Sequence, residues 1–319
     1  MEPKYPVPPK GLICPVITPL KEDHTLDLRS FESLLGHIER HVDGILLADP
    51  IWGEGHLLPG NTRHYLVESA LETIRGRRAV FINITGQNLE NTFTFMADVE
   101  SFINRIEYPG NLFWVDCPLL YHSNRGLPQM YRDLMTQTRF PMVIENLPAL
   151  VHECKRQVKH KNIRTAVLKK MAQHPAINGI IYTGNLKRSF NYHAAVRFRN
   201  DFTFYDGDEI VFLKNPGMGG VVAGGSNLTP VKWYEITKSS LHRSNIGGYD
   251  SNRQSSLWET GIMLHSLYSL YSGAPAYYMK RMLREIGIIE RDHTILPGKP
   301  ESPKWLDNLK TFLESYRIV

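Results

Sequence analysis

Cysteine is scarce in this chain, with three in 319 residues and none in a C-x-x-C pair. That excludes a disulfide framework and a zinc ribbon, so Cys14, Cys117 and Cys154 read as free thiols. Long apolar runs are also missing. Nowhere do the roughly 18 consecutive apolar residues of a membrane-spanning helix occur, and residues 1–6 lack a signal-peptide core. The expectation is a soluble cytoplasmic protein with no membrane partner. No glycine-rich turn follows an early strand candidate, which argues against a doubly wound dinucleotide-binding sheet. No helix-turn-helix, zinc-finger or RNP-type signature accompanies the basic residues. The net charge of +5 and the run at residues 155–170 (Lys155, Arg156, Lys159, Lys161, Arg164, Lys169) therefore read as a solvated helix face and not a nucleic-acid interface. His37 and His41 stand four apart on one helix with no third ligand near, so no metal and no cofactor are expected.

What is present is a strand-helix alternation. Strand candidates begin near Leu12 (LICPVIT), Ile45 (ILLA), Ala79 (AVFINIT), Leu112 (LFWVD), Met142 (MVIEN) and Gly179 (GIIYT), roughly 33 residues apart, with Phe202 (FTFY) and Gly220 (GVVAG) closer together. Between them run amphipathic stripes such as Leu28, Phe31, Leu34, Leu35, Ile38 and Val42. Thr229-Pro230 is an N-cap followed by proline at the first helical position, and opens the helix after the eighth strand. Near-continuous apolar strands alternating eight times with helices predict an α/β protein, a (β/α)8 TIM barrel over residues 1–230. Residues 231–319 would form the last barrel helix and a C-terminal helical extension. In such barrels chemistry sits where strands end, which on the sixth strand means Ile181, Tyr182 and Thr183.

The segments GLICPVITP (11–19), Asp43-Gly44, Gly53-Glu54, Asn146-Leu147-Pro148, Asn178-Gly179-Ile180 and residues 204–230 together resemble the dihydrodipicolinate synthase / N-acetylneuraminate lyase family of pyruvate-handling barrel aldolases. The resemblance implies Schiff-base formation by a lysine following Gly-Ile on the sixth strand. Here that position is Ile181. It also implies a hydroxyl pair before Gly-Glu, where this chain has Ile51-Trp52, and a proton-shuttling tyrosine before Asn-x-Pro, where it has Glu145. Leu119-Leu120 stand where the family tends to carry aromatic hydroxyls, and Leu150 where an arginine often follows the proline.

Glu145 is the candidate acid-base group, either as a desolvated base or as a buried carboxylate salt-bridged to Lys or Arg. Tyr182 could supply a proton, yet side-chain alternation turns it away from the face of Ile181. Ile51, Trp52, Glu54, Asp116, Leu120, Asn146 and Val222 are the ligand-binding candidates. Asp49, Asp206 and Asp208 add to the strand-end carboxylates. Lys187 and Lys214 fall in helix-forming segments and are poor substitutes for the missing amine. Glycines at 217, 219, 220, 224 and 225 could form phosphate loops or merely pack strand against helix. The expected function is a small oxo- or sugar-acid-like ligand bound without Schiff-base catalysis. The alternatives are a lyase or hydratase using Glu145 and a non-catalytic regulatory subunit. The family implies a homo-oligomer, dimer or tetramer.

Overall fold

The computed structural model describes residues 4–154, 160–241, 251–296 and 302–316. Lys155, Arg156 and Lys159 of the basic run lie outside them. Eight parallel strands close a barrel in sequence order: β1 (Gly11–Pro15), β2 (Gly44–Leu47), β3 (Ala79–Asn83), β4 (Leu112–Asp116), β5 (Met142–Asn146), β6 (Ile177–Tyr182), β7 (Thr203–Asp206) and β8 (Gly220–Val222), with β8 pairing back on β1. Around it lie α1 (Leu28–Ile38), α2 (Gly60–Ile74), α3 (Leu89–Arg105), α4 (Leu127–Leu134), α5 (Pro148–Glu153), α6 (Thr165–Met171), α7 (Leu186–Val196), α8 (Glu209–Lys214) and α9 (Pro230–Leu241). The (β/α)8 barrel read from the alternation is the observed architecture. The helices α10 (Ser251–Tyr271), α11 (Pro275–Glu285) and α12 (Pro303–Tyr316) follow as the C-terminal extension.

Two apolar layers explain why the strands are apolar on both faces. Outside, strand residues such as Leu12, Ile45, Val80, Leu112, Ile144 and Ile180 pack under the helices. Inside, Ile13, Leu46, Phe81, Phe113, Val115, Val143, Ile181, Tyr205 and Val222 form one cluster, in which Phe81 stacks on Phe113 at 4.9 Å. The barrel is thus a filled core and not a pore. Several helices start on side-chain caps, with Asn88, Asn185 and Asp208 accepting from the backbone N–H three residues on.

The extension is tied to the barrel's C-terminal side. Tyr271 of α10 donates its hydroxyl to Glu209 of α8. Lys280 of α11, wholly buried, pairs with Glu54 after β2 and also donates to the His293 carbonyl at 2.8 Å. Among the described residues no helix is long and apolar enough to cross a membrane.

Candidate functional site

Parity along the strands decides which strand-end side chains meet. Val143 and Phe81 are interior residues, so Glu145 and Asn83, two residues further on, also face inward at the C-terminal mouth. Glu145 is the register partner of Ile181. The Asp49 carboxyl, in the loop after β2, is hydrogen-bonded to that of Glu145, and both residues are buried. Two carboxyls share a hydrogen bond only if one keeps its proton. Burial, followed by the charges of Asp49 and Asp116, pushes Glu145 well above the usual carboxylate range. Burial likewise lifts Asp49 to about 6, against the pull of the Trp52 and Ile51 backbone N–H groups. Both shifts place the shared proton on Glu145, which donates it toward Asp49.

The pair is the inner end of a longer network. Asn83 Nδ2 donates to Glu145 Oε2 at 2.9 Å while its Oδ1 accepts from the Thr85 N–H at 3.0 Å. Thr85 Oγ1 donates to Asp116 Oδ1 at 2.9 Å. Tyr121 and Tyr131 each donate to Asp116 Oδ2 at 2.6 Å. Asp116 therefore faces the helix layer with both oxygens engaged. Its carboxyl is raised by burial, which outweighs these three hydroxyl donors and the nearby Arg63. The Arg63 guanidinium, in the first turn of α2, donates to the Asn83 carbonyl at 2.7 Å and stacks on Phe95 at 4.0 Å. Burial lowers it to about 10.

The remaining candidates separate into a rim and a scaffold. Trp52 N–H and Ile51 N–H donate to Asp49 Oδ1 at 2.7 and 2.8 Å, so this loop positions the acid pair. The Trp52 ring crosses the rim to lie against Gly224 and edge-on to Tyr271 at 5.2 Å. A Cβ at Gly224 would stand 2.1 Å from that ring, so any side chain there would have to displace it. Leu120 is half-buried in the turn after β4, and Val222 belongs to the interior cluster beneath the mouth. Ile181 is buried in that same cluster, a hydrocarbon at the level of Glu145.

Three candidates are engaged away from the mouth. Glu54 holds Lys280 and accepts from the Ile295 N–H at 2.8 Å. Asn146 Oδ1 accepts from the Ile163 N–H at 3.0 Å and its Nδ2 donates to Asn162, pinning the segment before α6. Tyr182 faces the helices, donating its hydroxyl to the Asn185 carbonyl at 3.0 Å and packing edge-on against Tyr192. Lys187 and Lys214 are exposed on helices. Asp49 as the partner of Glu145, Asn83 as the donor to it and Arg63 as the buried cation were not legible from spacing. The only signal for Asn83 was its inward parity two residues after Phe81.

The Dihydrodipicolinate synthetase family profile matches residues 8–314. The chain belongs to this family. Relatives of the dihydrodipicolinate synthetase family include the 4-hydroxy-tetrahydrodipicolinate synthase of Nitrosospira multiformis, 26% identical over 254 residues, 77% of this chain and 78% of that protein. That of Thiobacillus denitrificans is 25% identical over 286 residues, 88% of each chain. Among solved structures, the dihydrodipicolinate synthase of Thermotoga maritima superposes with a TM-score of 0.80 at 20% identity, covering 98% of this chain and all of that one. A dihydrodipicolinate synthase variant described as monomeric gives 0.79 at 20% identity over 97% of both chains. At those identities the likeness establishes the shared barrel.

Proposed function

We propose that this chain is a dihydrodipicolinate synthetase-family barrel that no longer forms a Schiff base. It binds a small oxo- or sugar-acid-like ligand at its C-terminal mouth, without a cofactor, in the cytoplasm and as a homo-oligomer. The observation that carries this reading is Ile181, whose side chain is part of the barrel-interior cluster beside Glu145. A hydrocarbon there cannot add to a keto carbon. Among the described residues Lys280 is the buried lysine, and its amine is held by Glu54 and the His293 carbonyl outside the barrel. In place of the amine stands an acid pair that shares a proton. The pair carries one negative charge at neutral pH, so an anionic ligand binds better as the pH falls toward the Asp49 value of about 6.

Incubation with pyruvate and borohydride tests the reading. The expected result is no mass adduct, and Ile181→Lys alone restores no aldolase turnover because Ile51, Trp52 and Glu145 still deny the substrate its hydroxyl donors and its tyrosine. A stoichiometric adduct on any one lysine of the wild-type chain would overturn it.

The shared proton on Glu145 favours a second reading, a lyase or hydratase in which Glu145 hands its proton to the substrate's leaving oxygen and takes one back from the substrate or water within the same turnover, so that the pair ends with the single proton it began with. Turnover of an oxo- or sugar-acid panel that Glu145→Gln abolishes would select it over plain binding.

A further inference from the structure

Among the described residues, each strongly buried acid has its donors, with one exception. Glu54 holds Lys280, Asp116 accepts three hydroxyls, Asp49 accepts two backbone N–H groups, and Glu209 accepts the Gly225 N–H and the Tyr271 hydroxyl. Asp206, the last residue of β7, is only 2% exposed, yet among the described residues it accepts a single hydrogen bond, from the Asp208 N–H at 3.3 Å onto Oδ1. No cation among them pairs with it. Burial lifts its carboxyl to about 7, against the Asp208 N–H and with the help of the Asp208 charge. A carboxylate taken out of water is destabilised unless a counter-charge or donors replace the solvent.

What this carboxyl faces is a cavity. Tyr205 belongs to the barrel interior, so Asp206, one residue on, points outward into the helix layer. There it lines a space of about 390 Å3 between α7 and the segment joining α8 to β8, at the lower end of the range for small-molecule sites. The other walls are Leu186 and Phe190 of α7 and Met218, with His193 stacked on Phe204 at 3.7 Å. Burial lowers His193, so its ring brings no charge at neutral pH. The contents of the cavity decide its ligand. A calcium ion needs six to eight oxygens and would find one carboxylate among hydrocarbon. An organic cation meets both surfaces, its charge on the acid and its carbons on the apolar walls. We infer that this cavity is a ligand site outside the barrel mouth, for a primary ammonium with an apolar body that donates to Asp206 and packs on Leu186, Phe190 and Met218. The exposed Lys214, which also lines the cavity, repels a second positive charge, so a monoamine fits and a diamine does not. The site shares no residue with the acid pair of Asp49 and Glu145, and stands or falls separately from it.

Calorimetric titration of the full chain with hexylammonium chloride tests it, at a pH one unit above the Asp206 value of about 7, where the carboxyl is ionised. One equivalent should bind, with 1-hexanol and 1,6-hexanediammonium each weaker by roughly 10-fold or more. Asp206→Asn should weaken binding roughly 30-fold or more, as loss of one partner of a buried charge pair does. The amide matches the carboxyl in shape and keeps the oxygen that accepts from the Asp208 N–H, so the fold should hold, with an unchanged far-ultraviolet circular dichroism spectrum. Phe190→Ala is a second variant that spares the fold, because this ring is 67% exposed, and it should weaken binding roughly 3-fold through the lost ring contact. Absence of binding at millimolar hexylammonium overturns the site. So does hexanol binding as tightly as the ammonium, or an affinity that Asp206→Asn leaves unchanged. Binding that Asp49→Asn abolishes and Asp206→Asn does not would place the ammonium at the barrel mouth and overturn it as well.

Discussion

Replacing Asp49 by asparagine should stabilise the protein at neutral pH. The amide keeps the oxygen that accepts from the Ile51 and Trp52 N–H groups at 2.8 and 2.7 Å, and presents an N–H to Glu145, which must then accept there with its carbonyl oxygen instead of donating. What it removes is a carboxyl whose folded value is lifted from 3.8 to about 6 by burial. The folded state therefore holds this proton more tightly than the unfolded chain does. Its contribution is full below the unfolded value near 3.8 and is lost as the pH rises to about 6. A displacement of that size corresponds to about 3 kcal/mol, an upper figure because the pair titrates jointly with Glu145. The carboxyls of Asp206 and Glu209, each raised to about 7 by burial, titrate in both proteins and cancel in the difference. Urea denaturation of wild type and Asp49→Asn across this range gives the comparison. The two curves should lie close near pH 4 and separate as pH rises, with the variant more stable by up to about 3 kcal/mol above pH 6. A variant that is less stable than wild type at neutral pH, or a gap that does not vary with pH, would show that Asp49 and Glu145 do not share a buried proton.

Lys280→Met should cost about 3–5 kcal/mol by urea denaturation, because it strands the buried Glu54 carboxylate; the double variant with Glu54→Gln should recover most of that loss, and an additive double variant would refute the pairing. Gly224→Ala should displace the Trp52 ring from its seat against residue 224 and Tyr271, destabilising by about 1–3 kcal/mol, and near-ultraviolet circular dichroism should report the lost aromatic contact; an unchanged spectrum and midpoint would place Trp52 elsewhere.

The fold was written in the sequence because its determinants are local and repeated. Eight apolar runs separated by amphipathic stripes leave little choice but alternate burial, and the inward parity of Ile181 and outward parity of Tyr182 follow from the two-residue period of a strand. That Ile181 and Glu145 stand near the C-terminal ends of β6 and β5 was equally legible, since identity near a strand end needs no coordinates. Partnership was not. Asp49 and Glu145 are 96 positions apart and meet only because β2 and β5 close into one barrel. The bland expectation for Glu145 was a lysine or arginine counter-ion, and the structure supplies an amide and a second carboxyl instead. Glu54 and Asp116 looked like mouth residues by position, yet their oxygens are taken by Lys280 on α11 and by Tyr121 and Tyr131 in the outer layer. Nor could spacing show that Trp52 rests on Gly224, because that contact depends on how the loop after β2 meets the end of β8. Which side chains lie at strand ends is set by short-range periodicity, but which of them share a proton depends on barrel closure, and that is a property of the tertiary structure.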